Sequence, residues 1–98
     1  MILVRDIFQL KFGKAREGVG LMKQAIALLR KSGHKPTRLM TDLTGQYYTL
    51  VLESEFVSLA EFEKGHGETS DSAEWRNLYS QFTTLVDSGR REIFTIVE

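Results

Sequence analysis

ILVRDIFQLKF, residues 2–12, is the stretch on which the reading of this fold turns. Its β-branched and aromatic residues mark a strand, and a strand sends alternate side chains to opposite faces. Val4, Phe8, Leu10 and Phe12 then share one face, while Leu3 and Ile7 share the other with Arg5, Gln9 and Lys11. A strand with one wet face should alternate cleanly between apolar and polar residues. This one is apolar on both sides, with charge set among the greasy groups. The mixture returns downstream. In QYYTLVLESEF (46–56), Tyr48, Leu50, Leu52 and Phe56 oppose Tyr47, Thr49, Val51, Glu53 and Glu55, and near the C-terminus Ile93 and Val97 oppose Phe94 and Ile96.

The segments between these strands read as helices and turns. Gly13 closes the first strand, and Ala15, Val19, Met22, Ile26 and Leu29 then recur at the steps of one helix face. Arg30 and Lys31 suit the negative end of that helix, and Gly33 stands where a left-handed cap is wanted. Two β-rich runs flank Gly45-Gln46, which reads as a hairpin turn. Ser58 with Glu61 has the form of a capping box, opening a short helix with Leu59 and Phe62 that Gly65 and Gly67 should end. Asp71 with Glu74 repeats the pattern for a second helix carrying Trp75, Leu78, Phe82 and Leu85 or Val86, with Gly89 as its end. RREIFTIV (90–97) is the last strand.

The order is β-α-β-β-α-β with the second helical layer split in two. It predicts an α+β, ferredoxin-like sandwich: a four-stranded antiparallel sheet with helices on one face only. At 98 residues the chain fits one domain, 1–98, with no second layer of its own to cover the mixed strand face. Another copy supplies one. The expectation is a homodimer whose two sheets face each other.

Composition narrows the function classes. Thirteen basic and thirteen acidic residues cancel, so no overall field draws the chain to nucleic acid or an anionic membrane. The absence of cysteine excludes disulfides, thiolate metal sites and thiol nucleophiles. The apolar runs MILV and LVL are far shorter than the ~20 residues of a membrane span, and nothing at the start reads as a signal peptide. A cytoplasmic location is the default expectation. GKAREGVG (13–20) lacks the lysine and hydroxyl residue of a phosphate loop, GVGLMK (18–23) lacks the third glycine of a dinucleotide fingerprint, and no nucleophile elbow occurs. An RNA-recognition domain shares the element order, but Glu53 and Glu55 on its central strand would repel phosphate.

LVRDIFQLKFGKAREGV (3–19) resembles the opening of the dimeric α/β-barrel proteins, above all their NIPSNAP-like branch. There an arginine in the first strand precedes an aromatic residue and a glycine-containing turn; the matching positions are Arg5, Phe8 and Gly13. SLAEFEKG (58–65) with AEWRNLY (73–79) resembles the same group's short helix, break and tryptophan-bearing helix. The resemblance implies a ferredoxin-like protomer that pairs its sheet with a partner's in a homodimeric α/β barrel. It also implies kinship with cofactor-free, antibiotic-biosynthesis-type monooxygenases that oxidise polyketide-type aromatics, with haem-degrading enzymes and with chlorite-dismutase relatives. The haem-degrading branch uses a first-strand asparagine and a histidine after the helical tryptophan. Here Gln9 is the nearest amide and no histidine follows Trp75, so haem chemistry is not carried over and no cofactor is expected.

Candidate site residues follow from cost. Arg5, Asp6 and Glu53 are charges embedded in apolar strands, expensive unless paired, solvated or used. Arg5 and Glu53 therefore read either as an ion pair across the barrel or as groups that orient a polar ligand. Tyr48, beside Tyr47, reads as a pocket wall or a strand filler. His66, in EKGHGE (63–68), reads as a loop histidine between glycines, with a proton carrier or pocket gate as its functional alternative. His34 reads as a helix cap. Two histidines without cysteine make a poor zinc set, and no metal is expected. Trp75 falls on the core stripe and reads as core packing, with a pocket wall beside Phe62 or Tyr79 as its functional alternative. The ligand-binding candidates are thus Arg5, Tyr48, Glu53, Phe62, His66 and Trp75, with no catalytic residue assigned. Two functions follow: a homodimeric binder of a small apolar or aromatic molecule, in its enzymatic form a cofactor-free oxygenase, or a non-catalytic dimerisation module.

Overall fold

A computed structural model describes residues 1–98. Its elements run β1 (Ile2–Leu10), α1 (Ala15–Lys31), β2 (Pro36–Thr41), β3 (Thr49–Phe56), α2 (Leu59–Ser70), α3 (Ala73–Thr83) and β4 (Val86–Thr95). The sheet is four-stranded in the order β2-β3-β1-β4, and each neighbouring pair is antiparallel. This is the expected ferredoxin-like sandwich. The helices cover one face. Leu10, Leu50 and Leu52 of the sheet and Met22, Ala25, Ile26, Leu29 and Phe82 of the helices form the core between them.

Helix α1 forms as its periodicity demands, with Met22, Ala25, Ile26 and Leu29 buried. Its end is a Schellman motif. Gly33 takes φ +83°, its N–H donates to the Arg30 carbonyl at 3.2 Å, and the His34 N–H donates to Leu29 at 3.0 Å. His34 has a further role that sequence did not show. Its ring meets Phe56 edge-on at 5.5 Å, and its Nε2 shares a 3.0 Å hydrogen bond with Thr69 Oγ1 of α2. The histidine is a bracket between the α1–β2 connection and α2.

Four boundary expectations are corrected. The glycines of EKGHGE do not end α2, which runs through both of them to Ser70. The second layer is instead broken at Asp71-Ser72, where Ser72 is extended and its side chain accepts from the Trp75 N–H at 3.3 Å. The cap is thus Ser72, one residue beyond the expected Asp71. Gly89 lies inside β4, not at a helix end, because α3 has already stopped at Thr83. A Cβ there would approach the Phe8 ring to 3.2 Å, so the glycine admits the aromatic lying over it. The β2–β3 connection spans residues 42–48, longer than a tight turn at Gly45-Gln46. The Thr49 N–H donates to Asp42 Oδ1 at 2.9 Å across it, and Tyr48 holds a left-handed φ of 59°.

Gly65 explains why α2 tolerates a glycine in its middle. A Cβ at 65 would lie 2.9 Å from His34 Nε2, whereas at Gly67 it would meet nothing within 4 Å. Helix propensity favours alanine over glycine by about 1 kcal/mol. Gly67→Ala is therefore expected to stabilise the fold by about 0.5–1 kcal/mol. Gly65→Ala should destabilise it despite the same propensity gain, because the ring of His34 must give way. Paired urea titrations of the two variants measure the opposite signs.

Candidate functional site

Between the helix-facing side of the sheet and helices α2 and α3 lies a half-open cavity of about 930 Å³. Strand alternation places Val4, Asp6 and Phe8 of β1 and Leu52, Ser54 and Phe56 of β3 along its floor. Phe82 lines it beside Phe8, which it meets edge-on at 4.9 Å. The break at Asp71-Ser72 divides the roof between α2, which contributes Phe62, His66 and Thr69, and α3, which contributes Trp75 and Tyr79.

The lining is aromatic with a few converging polar groups. Trp75 and Tyr79 stack at 6.0 Å, one helical turn apart on α3. Phe56 meets Phe62 at 5.3 Å, and Phe62 stacks with His66 at 5.7 Å. The guanidinium of Arg91 lies 5.1 Å above the Phe62 ring and holds Asp6 through a 2.6 Å ion pair. Arg91 thereby ties the sheet to α2 at the cavity wall. No three His, Cys, Asp or Glu side chains come together as metal ligands would.

The six candidate residues occupy three places. Phe62, His66 and Trp75 border the cavity. His66 does so from an exposed position on the helix surface, not from a loop. Tyr48 lines a separate, shallower hollow of about 620 Å³ between α1 and the β2–β3 connection, beside Arg16, Lys23 and Tyr47. Arg5 and Glu53 lie on the far side of the sheet, facing away from the helices. There Arg5 Nε approaches Glu53 Oε2 at 3.0 Å, while Arg38 reaches Glu53 at 3.3 Å and Arg5 Nη1 reaches Glu92 at 3.6 Å. Arg5 Nε is buried and off the line of a hydrogen bond, so that contact is ionic without being directional.

Asp6, Arg91, His34 and Thr69 belong to the cavity and were not among the candidates. Asp6 was legible as a costly charge on the Val4 face. Nothing in the sequence pairs it with Arg91, which lies 85 positions away.

No family model matches the sequence, and no curated protein does. Solved structures do. A NIPSNAP family protein from Agrobacterium tumefaciens superposes with a TM-score of 0.92 at 16% identity, covering 99% of this chain and 93% of its own. A NIPSNAP domain protein from Burkholderia xenovorans gives 0.90 at 8% identity, covering 99% and 95%. An antibiotic biosynthesis monooxygenase gives 0.72 at 11% identity over the whole of both chains. The protein thus has the ferredoxin-like fold shared by NIPSNAP and antibiotic-biosynthesis-monooxygenase proteins, in agreement with the resemblance noted in LVRDIFQLKFGKAREGV. At these identities the likeness concerns the fold.

Proposed function

We propose that this protein is a homodimer, paired through the open faces of its sheets, that binds a small apolar or aromatic molecule between sheet and helices. The observation that carries the reading is the aromatic cavity of about 930 Å³ with Asp6, Arg91, His34 and Thr69 at its edge. Its size falls in the range of small-molecule pockets, and apolar walls with a few polar groups are their usual chemistry. The enzymatic form of this reading is a cofactor-free oxygenation of the bound aromatic in the cytoplasm, extended from the monooxygenase that shares the fold. A thermal-shift screen of hydrophobic aromatic compounds tests binding. Stabilisation by at least one compound class, weakened by Trp75→Ala, is expected, and no shift with any compound overturns the reading. Dioxygen uptake with a bound compound then separates an enzyme from a binder.

A dimerisation module without catalysis is the second reading. The ion pairs of the open face favour it, because they engage Arg5 and Glu53 with protein groups and leave neither for a ligand. On that reading Arg5→Leu changes assembly or stability only, and no compound shifts the melting temperature.

A further inference from the structure

Four charges of the open face form one line across the sheet, with Arg90 and Glu55 on the same face one step to either side of it. Register places Arg38 of β2 beside Glu53 of β3, Glu53 beside Arg5 of β1, and Arg5 beside Glu92 of β4. Adjacent strands are about 4.8 Å apart, so the row crosses the whole sheet in about 14 Å. In strand order it reads plus, minus, plus, minus. Contacts of 3.3 Å, 3.0 Å and 3.6 Å join successive members. Leu3, Val51, Ile7 and Phe94 flank it on the same face, and Phe94 is 48% exposed.

We infer that this row orients the proposed homodimer: the two-fold axis runs along the strands between β3 and β1, so that Arg38 faces the partner's Glu92 and Glu53 faces the partner's Arg5. The inference rests on the homodimer proposed above and follows from symmetry. Two sheets meeting face to face are related by an axis lying between them. An axis along the strands reverses left and right, and a plus-minus-plus-minus row reversed in this way sets every charge opposite its counterion. An axis across the strands that passes over the row keeps left and right, and sets each charge against its own copy. Like charges brought together across an interface cost several kcal/mol, so the alternation permits the first arrangement and penalises the second. The apolar flank supplies surface to bury under either axis. The row makes the choice.

The row also suits burial. Glu53 is only 7% exposed before any partner arrives and already holds two guanidinium groups, so covering it adds little new desolvation.

The test uses the 98-residue chain, which has no native cysteine. Arg38→Cys and Glu92→Cys are prepared as separate single variants at the two ends of the row. Stacked sheets lie about 10 Å apart, beyond the reach of a disulfide, so a short dimaleimide is the linker. A mixture of the two variants is expected to give a covalent dimer, and each variant alone is expected to give little. Self-cross-linking of Arg38→Cys alone overturns the axis, as does a dimer by light scattering that yields no cross-link in the mixture. A wild-type chain that scatters as a monomer overturns the dimer itself, a separate failure. The electrostatic cause is read from Arg38→Glu, with its stability in urea measured beside its dimer Kd because Arg38 also holds Glu53 within the protomer. Its dimer Kd should rise about tenfold or more, and by less in Arg38→Gln. An unchanged Kd for Arg38→Glu overturns the role of charge.

Discussion

Phe82→Ala is expected to lower the unfolding free energy by about 3–5 kcal/mol. The side chain is 4% exposed and belongs to the single core cluster, where it meets the Phe8 ring edge-on at 4.9 Å. Its removal loses apolar transfer and an aromatic contact and leaves a void in the core. Domains of this size hold about 5–15 kcal/mol in total, so the variant should stand near the edge of folding. Urea titration with an unchanged m-value measures the loss. Tyr79→Ala, on the same helix but 48% exposed, should cost less than about 1 kcal/mol. Equal losses for the two would mean that α3 does not sit on the sheet as described.

Glu53→Ala should produce the second largest effect, about 2–3 kcal/mol. Glu53 is the one buried carboxylate of the open face, and it holds both Arg5 and Arg38. Truncating it leaves Arg5 Nε buried with no partner on that side. Arg5 keeps Glu92 at 3.6 Å, and its side chain is about a third exposed, which places the loss below that of a fully buried broken pair. The double variant Arg5→Leu/Glu53→Leu should recover much of this, because an apolar pair of similar volume carries no unpaired charge. A double-mutant cycle in urea reads the coupling. Additive losses would show that the pair contributes nothing beyond its separate packing.

The open face was the part of the fold that sequence described best. Arg5 could be grouped with Ile7 on one face of its strand, and Val51 with Glu53 on one face of theirs, because strand period is a local property of covalent geometry; the β1–β3 register made the two faces one side of the sheet. Helix α1 was legible for the same reason, down to the glycine that caps it. The expected joint at Gly65 and Gly67 failed because glycine weakens a helix only by propensity, and a tertiary contact outweighed it. Gly65 sits where α2 must approach His34, and that contact joins residues 31 positions apart in the chain. Ser72 won over Asp71 as the cap because either side chain can accept at an N-terminus, and the path of the chain into α3 selects between them.

The site divided along the same line. Helical spacing put Trp75 on the core stripe and left a pocket wall beside Phe62 as the alternative, and both side chains border the cavity. Their grouping with Asp6 and Arg91 required the pairing of β1 with β4, which brings the two ends of the chain side by side. The sequence by itself determined element order, the two-faced strands and the charges within them, since each depends on neighbours a few residues away. Only the tertiary structure decided which charges meet: it sent Asp6 to the cavity with Arg91 and Arg5 to the opposite face with Glu53 and Glu92. Adjacent residues in a strand point to opposite sides of a sheet, and what awaits each on its own side is set by strands and helices distant in the chain.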